Sequence, residues 1–198
     1  MQALNHGRLL PIQQMVRARL RCERGFGLIE LLMAMTMLNI GILALVAAFQ
    51  AGSFALKRSG KISTASTLAD QQMEVLRLNK YTAIYLDTTA EAAARGDSTY
   101  NCDTALGGCS GGLTQVTATC TALTGETGSP PPRCNPSRSL SGPDHQNYRV
   151  DTYVVAQYPT GSTTSRQNKL VTVVVRDGSS LATVLARESS TFDVSTGG

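Results

Sequence analysis

The sequence predicts an α+β fold, a long N-terminal helix laid on a small antiparallel sheet, and three observations carry that prediction. Residues 26–56 form an apolar run with one acidic residue, Glu30, and no basic one. From Ile62 the apolar positions Ala65, Ala69, Met73, Leu76 and Ala83/Ile84 recur at three- and four-residue steps, an amphipathic stripe reaching about Ala94. After Asn147 the period falls to two and β-branched residues become frequent. Five segments are therefore expected: a basic leader over 1–25, a membrane-spanning helix over 26–56, the amphipathic helix of a globular head over 57–95, a Cys/Gly/Pro-rich loop region over 96–147, and the antiparallel sheet over 148–198. At 198 residues the chain has room for one modest domain beside the helix.

The net charge of +4 lies entirely in the leader, where Arg8, Arg17, Arg19, Arg21 and Arg24 face only Glu23. After Gly25 the acidic and basic residues balance. A basic segment confined to the start of the chain serves membrane topology, because short basic stretches beside a span stay in the cytoplasm. Nucleic acid is not an expected partner, and the C-terminal head should face outward. Lys57, Arg58 and Lys61 beyond the span oppose this order but are outnumbered.

At 1.5 Å per residue the apolar run would extend about 46 Å, against roughly 30 Å of hydrocarbon. Part of the helix must do something besides cross lipid. A secretory signal would have a shorter core, and Ala48-Phe49-Gln50-Ala51 offers its small-residue cleavage site only loosely. Ala44, Ala48 and Gly52 fall four apart, beside the row Ala47, Ala51 and Ala55. This small-xxx-small pattern lets helices approach closely, although alanine is also ordinary membrane filler. Asn39 and Gly41 are weak helix formers, and Ser59-Gly60 offers an alternative break between a membrane helix and a separate soluble one.

A carboxylate inside a lipid-embedded helix costs about 2.5–3.5 kcal/mol on insertion scales, so Glu30 should be interfacial, neutralised or paired. The run supplies no cation. A cut between Gly25 and Phe26 would, because the new α-amino group of Phe26 stands four residues from Glu30. The stretch Arg24-Gly25-Phe26-Gly27-Leu28-Ile29-Glu30 resembles the cleavage and methylation signature of type IV prepilins, and the likeness covers about residues 21–56. That resemblance implies a pilin-like fold, cleavage after Gly25 by prepilin peptidase, N-methylation of Phe26, and pairing of Glu30 with the terminal amine of a preceding subunit. The partners it implies are prepilin peptidase, other pilin or pseudopilin subunits, an inner-membrane assembly platform and membrane lipid. Residues 39–50 are similar to PilV-type minor pilins and small type II secretion pseudopilins. Glu30 itself speaks against the tip pseudopilin, which typically lacks this carboxylate.

Cys102, Cys109, Cys120 and Cys134 lie in the outward part, and Cys22 lies in the leader. The four contain no Cys-x-x-Cys pair and no histidine among them, so two disulfides are expected rather than zinc. Three pairings are open, and a reducing compartment would leave free thiols. Gly107-Gly108, Gly111-Gly112, Gly128-Ser129 and Pro130-Pro131-Pro132 make the same interval loop-rich, with room for a short strand over 113–120. Strands are expected over 148–157, 169–175 and 181–187, separated by a polar loop over 159–168 and a turn at Asp177-Gly178, as an antiparallel meander.

No catalytic constellation stands out. His145, the only histidine after the leader, and Asp144 share a loop, and there is no Gly-x-Ser-x-Gly elbow, His-Glu-x-x-His pair or phosphate loop. Asp97, Asp103 and Asp144 lack the Asp-x-Asp-x-Asp run of a calcium loop. No catalytic residue, metal or cofactor is expected, and no enzyme. The expected function is that of a structural subunit, a minor pilin or pseudopilin moved from the inner membrane into a type IV pilus or a type II secretion pseudopilus. The alternative is a permanently anchored extracytoplasmic binding or adhesion module.

Overall fold

The computed structural model describes residues 27–103, 115–158 and 167–194. The leader with Cys22, the Gly25-Phe26 junction, the pairs Gly107-Gly108 and Gly111-Gly112, and Cys109 lie outside them. Helix α1 runs Leu28–Arg77. A 3-10 turn follows at Tyr81–Ala83, then β1 Leu86–Asp87, α2 Thr88–Ala94, α3 Ser98–Asn101, β2 Thr117–Ala118, β3 Ser137–Ser141, β4 Asn147–Gln157, β5 Asn168–Asp177 and β6 Ser180–Phe192. The described residues divide into two compact units between Ser53 and Phe54.

Helix α1 is continuous through Gly41 and through Ser59-Gly60, so the alternative break at that pair does not occur. Its end is a correction: the helix stops at Arg77, well short of the residue 95 expected from the apolar stripe. Asn79 closes it, donating from Nδ2 to the Val75 carbonyl at 2.6 Å and satisfying one of the orphan acceptors of the last turn. The buried Lys169 Nζ then donates to the carbonyls of Tyr81 at 2.8 Å and Ile84 at 2.7 Å, so that β5 fixes the turn that follows.

In the second unit the sheet has the order β3-β4-β5-β6, all antiparallel. Ala65, Leu68, Ala69, Met73 and Leu76, one face of α1, are buried against Tyr148, Val150, Val154, Val171, Val173 and Val175, with Ile84, Leu86 and Phe192 closing the core. The strand register explains the alternation, since Val150 faces Val175 and Val154 faces Val171, and residues two apart share a face. Three strand expectations need correction. β3 forms inside the interval expected to be loop, the described part of the strand expected over 113–120 is limited to Thr117–Ala118 plus a single bridge from Gln115 to Val155, and β6 continues past residue 187 to Phe192.

The opposite face of β4 and β5 is also covered. Arg149 and Arg176 are cross-strand partners, a like-charge pairing that would be unfavourable alone. Asp151, fully buried, accepts from both, from Arg149 Nε at 2.8 Å and Arg176 Nε at 2.9 Å. Asp97 pairs with Arg149, and Asp103 pairs with Arg176 and, at 2.8 Å, with Arg187. Tyr100 of α3 stacks on Tyr153 with centroids 4.6 Å apart, each hydroxyl donating to a backbone carbonyl of the other layer, Thr152 and Tyr100 respectively, at 3.0 Å. The helix-capping role of Asp97 is part of the same device, because its Oδ1 accepts from Thr99 N at 2.8 Å while Oδ2 holds Arg149. Those contacts keep its carboxyl below the usual range, first through the Thr99 amide and then through Arg149.

Candidate anchoring and assembly site

Glu30 lies in the first turn of α1, where an acidic side chain complements the positive end of the helix. The turn closes on Gly27, whose carbonyl accepts from Glu30 N at 2.9 Å and Leu31 N at 3.2 Å. Around it Leu28, Leu31, Leu32, Met35, Leu38 and Ile42 are all exposed, and so are the large apolar residues onward to Leu56. The helix is long and apolar enough to cross a membrane, with a mean hydropathy of 2.2 over an 18-residue window. Water cannot satisfy polar groups in hydrocarbon, so side-chain donors there must bond internally. Thr36 and Ser53 do this, donating to the carbonyls of Met33 at 2.8 Å and Phe49 at 3.0 Å. Ala44, Ala48 and Gly52 lie on exposed helix surface, and a Cβ built on Gly52 or Gly41 would meet nothing within 4 Å.

Beyond the helix, Cys120 and Cys134 form a disulfide. Cys102 is also disulfide-bonded. Asp87 organises the stapled loop: Oδ1 caps α2 through Thr89 N and Ala90 N, Oδ2 accepts from Cys120 N at 3.0 Å, and the Asp87 amide donates to the Cys134 carbonyl at 2.8 Å. The amides of Ala90 and Cys120 hold the Asp87 carboxyl low. Arg133, buried, spans the same loop through Glu126 at 3.0 Å and the Thr121 carbonyl at 2.6 Å. Asp97 and Asp103, weighed as calcium ligands from the sequence, are engaged by arginines instead. Sequence reasoning missed the ladder they form; its signal was three arginines, Arg149, Arg176 and Arg187, on strands otherwise dominated by β-branched and small residues.

An exposed apolar helix leading into an α+β head is consistent with the pilin-like class of membrane-anchored proteins. Residues 20–46 match the prokaryotic N-terminal methylation motif family. The chain thus carries the type IV prepilin-like signal, and the matched stretch contains Gly25, Phe26 and Glu30. Such a signal implies processing by prepilin peptidase. No match was found among curated proteins or among solved structures.

Proposed function

We propose that this chain is a minor pilin or pseudopilin, cut after Gly25, methylated on Phe26 and drawn from the inner membrane into a type IV pilus or a type II secretion pseudopilus. One observation carries the reading: the methylation motif overlaps a helix whose first turn presents Glu30 amid exposed apolar surface. In the bilayer Glu30 needs a cation, and the α-amino group of Phe26 in a preceding subunit supplies one. The pair is short-range and largely desolvated, so it fixes axial register as well as attracting. Ala44, Ala48 and Gly52 then let neighbouring helices come close. The basic leader stays in the cytoplasm and the head faces outward, where assembly-platform proteins and other subunits meet it.

Substitution of Glu30 tests this. Glu30→Val removes an insertion cost, so membrane anchoring and leader cleavage persist. Incorporation into filaments falls sharply, because an unpaired buried amine is worse than no charge at all. The measurement is the fraction of protein in sheared filaments against the inner membrane, with Glu30→Asp as the charge-conserving control. Equal incorporation of Glu30→Val and the parent would exclude the pairing and leave the permanently anchored binding module as the better reading.

A further inference from the structure

Lys57, Gly60, Lys61 and Thr64 line one side of α1 over two turns, beginning at the residue after Leu56, the last of the apolar run. The turn over residues 142–146 lies against that side. Gly142 makes the approach possible, since a Cβ there would stand 3.0 Å from Thr64 Cγ2 and 2.7 Å from Tyr148 Cε2. Between helix and turn opens a cavity of about 490 Å³ lined by Lys57, Gly60, Lys61, Thr64, Asp144 and Gln146. Its floor at Gly60 is clear, with nothing within 4 Å of an added Cβ.

The lining carries both signs of charge. Lys61 is engaged by Asp177 at 2.8 Å, whereas Lys57 is exposed and has no ion-pair partner among the described residues. Asp144 accepts from Tyr148 Oη at 2.6 Å and from Gln146 N at 3.2 Å. The first of these, ahead of the others, holds its carboxyl below the usual range, so it is an anion near neutral pH with lone pairs still free.

We propose that this cavity receives a phospholipid headgroup of the phosphoethanolamine class, with the phosphate on Lys57 and the ammonium on Asp144. The inference rests on the membrane-anchoring reading, and it holds whichever surface the head faces. The run's length of about 46 Å exceeds the hydrocarbon but matches a bilayer counted with its headgroup regions, roughly 40–45 Å, so before assembly the residue after Leu56 stands at headgroup depth, where a lysine meets lipid phosphate. A primary ammonium donates hydrogen bonds to a carboxylate; a trimethylammonium has none to give. The volume lies in the range of small-ligand sites, roughly 300–1,000 Å³.

The full-length chain, reconstituted in phosphatidylcholine nanodiscs with a minor share of phosphatidylethanolamine or phosphatidylglycerol, gives the test by native mass spectrometry of retained lipid. Phosphatidylethanolamine should be enriched about tenfold over phosphatidylcholine, the size of one charge-assisted hydrogen bond. Lys57→Gln and Asp144→Asn should each bring that ratio to the bulk value. Gly60→Leu should do the same while keeping both charges and filling the floor. Unchanged tyrosine near-ultraviolet dichroism would show the head intact in each variant. Enrichment unaffected by all three substitutions, or equal enrichment of phosphatidylglycerol, would overturn the proposal. Saturable binding of soluble phosphoethanolamine with equal strength would assign the site to a free phosphate ester and overturn the lipid source. A chain that alkaline carbonate strips from vesicles would refute the anchoring reading itself, whereas a chain that resists extraction but shows no enrichment refutes only the headgroup site.

Discussion

The two faces of the four-stranded sheet are buried to similar depth with opposite chemistry. Toward α1 the sheet offers Val150, Val154, Val171, Val173 and Val175, and toward α3 it offers Arg149, Asp151, Tyr153 and Arg176. An apolar face gains free energy from area removed from water, without regard to direction. Many amphipathic helices of the right width would satisfy it. The charged face accepts only a cap that places Asp97 beside Arg149 and Asp103 between Arg176 and Arg187. Affinity between layers comes mainly from the first face, and the unique seating of the cap comes from the second.

The largest expected effect breaks the charged face at its centre. Asp151→Ala leaves two opposed, buried arginines with one carboxylate each, and should destabilise the head by about 3–5 kcal/mol in denaturant titrations of the full chain in detergent. Replacing the trio with Arg149→Met, Asp151→Leu and Arg176→Met should cost far less than the single change, since no buried charge is stranded. A triple variant as unstable as Asp151→Ala would mean that the ladder contributes more than charge compensation.

Next in size is the apolar face. Met73, fully buried, packs at the middle of the α1 stripe, and Met73→Ala should cost about 2–4 kcal/mol through lost contact and cavity. The comparison predicts different symptoms for the two breaks. Met73→Ala should lower the melting temperature while leaving the near-ultraviolet signal of the Tyr100–Tyr153 stack intact below the transition, whereas Asp151→Ala should diminish that signal first.

The smallest effects lie where α1 meets the sheet margins, and they run in opposite directions with pH. Asp177 is held at about 2, chiefly by Lys61, so the stability it gives is present above its ordinary value and is lost as pH falls from about 4 toward 2. Burial and then Asp70 raise Glu188, so its contribution is fullest at acid pH and declines as pH rises through its folded value. Thermal melts from pH 2 to 7 should therefore show Lys61→Met losing part of the acid limb and Glu188→Gln gaining stability near neutrality, each by less than about 1 kcal/mol. Identical pH profiles for Glu188→Gln and the parent would remove the Asp70 contact from the account.

Much of the apolar face was legible in advance. Ala65, Ala69, Met73 and Leu76 were readable from period alone, as were β4 and β5, because α1 and the sheet repeat their patterns locally. The end of α1 was not. No glycine or proline marks Arg77, and the stop is enforced from a distance by Lys169 and by Tyr81, whose hydroxyl donates to the Gln167 carbonyl at 2.7 Å. The charged face was equally hidden: Arg149 and Asp151 alternate with apolar residues as a solvated strand face would, and only tertiary structure brings Asp97 and Asp103 over them. β3 escaped notice because Ser137–Ser141 has little strand character of its own and gains its pairing from β4. At the candidate site, Glu30 stood out because a charge in hydrocarbon needs a reason, whereas the Cys120–Cys134 pairing was hidden because the spacing allows three pairings and tertiary contacts through Asp87 bring these two residues together.

The outer strands carry a consequence for crowding. β6 is the longest strand and lies at one margin of the sheet, where unpaired amides and carbonyls could recruit a strand from another molecule. Its pairing with β5 is irregular between Val175 and Asp177, and Arg187 and Glu188 stand along it. At the other margin β3 is only five residues long and bears Arg138. Irregular register, charge and brevity are the means by which strand margins resist joining edge to edge. Heads tethered in one plane would collide far more often than free molecules do, and blunt margins of this kind disfavour zippering at each encounter.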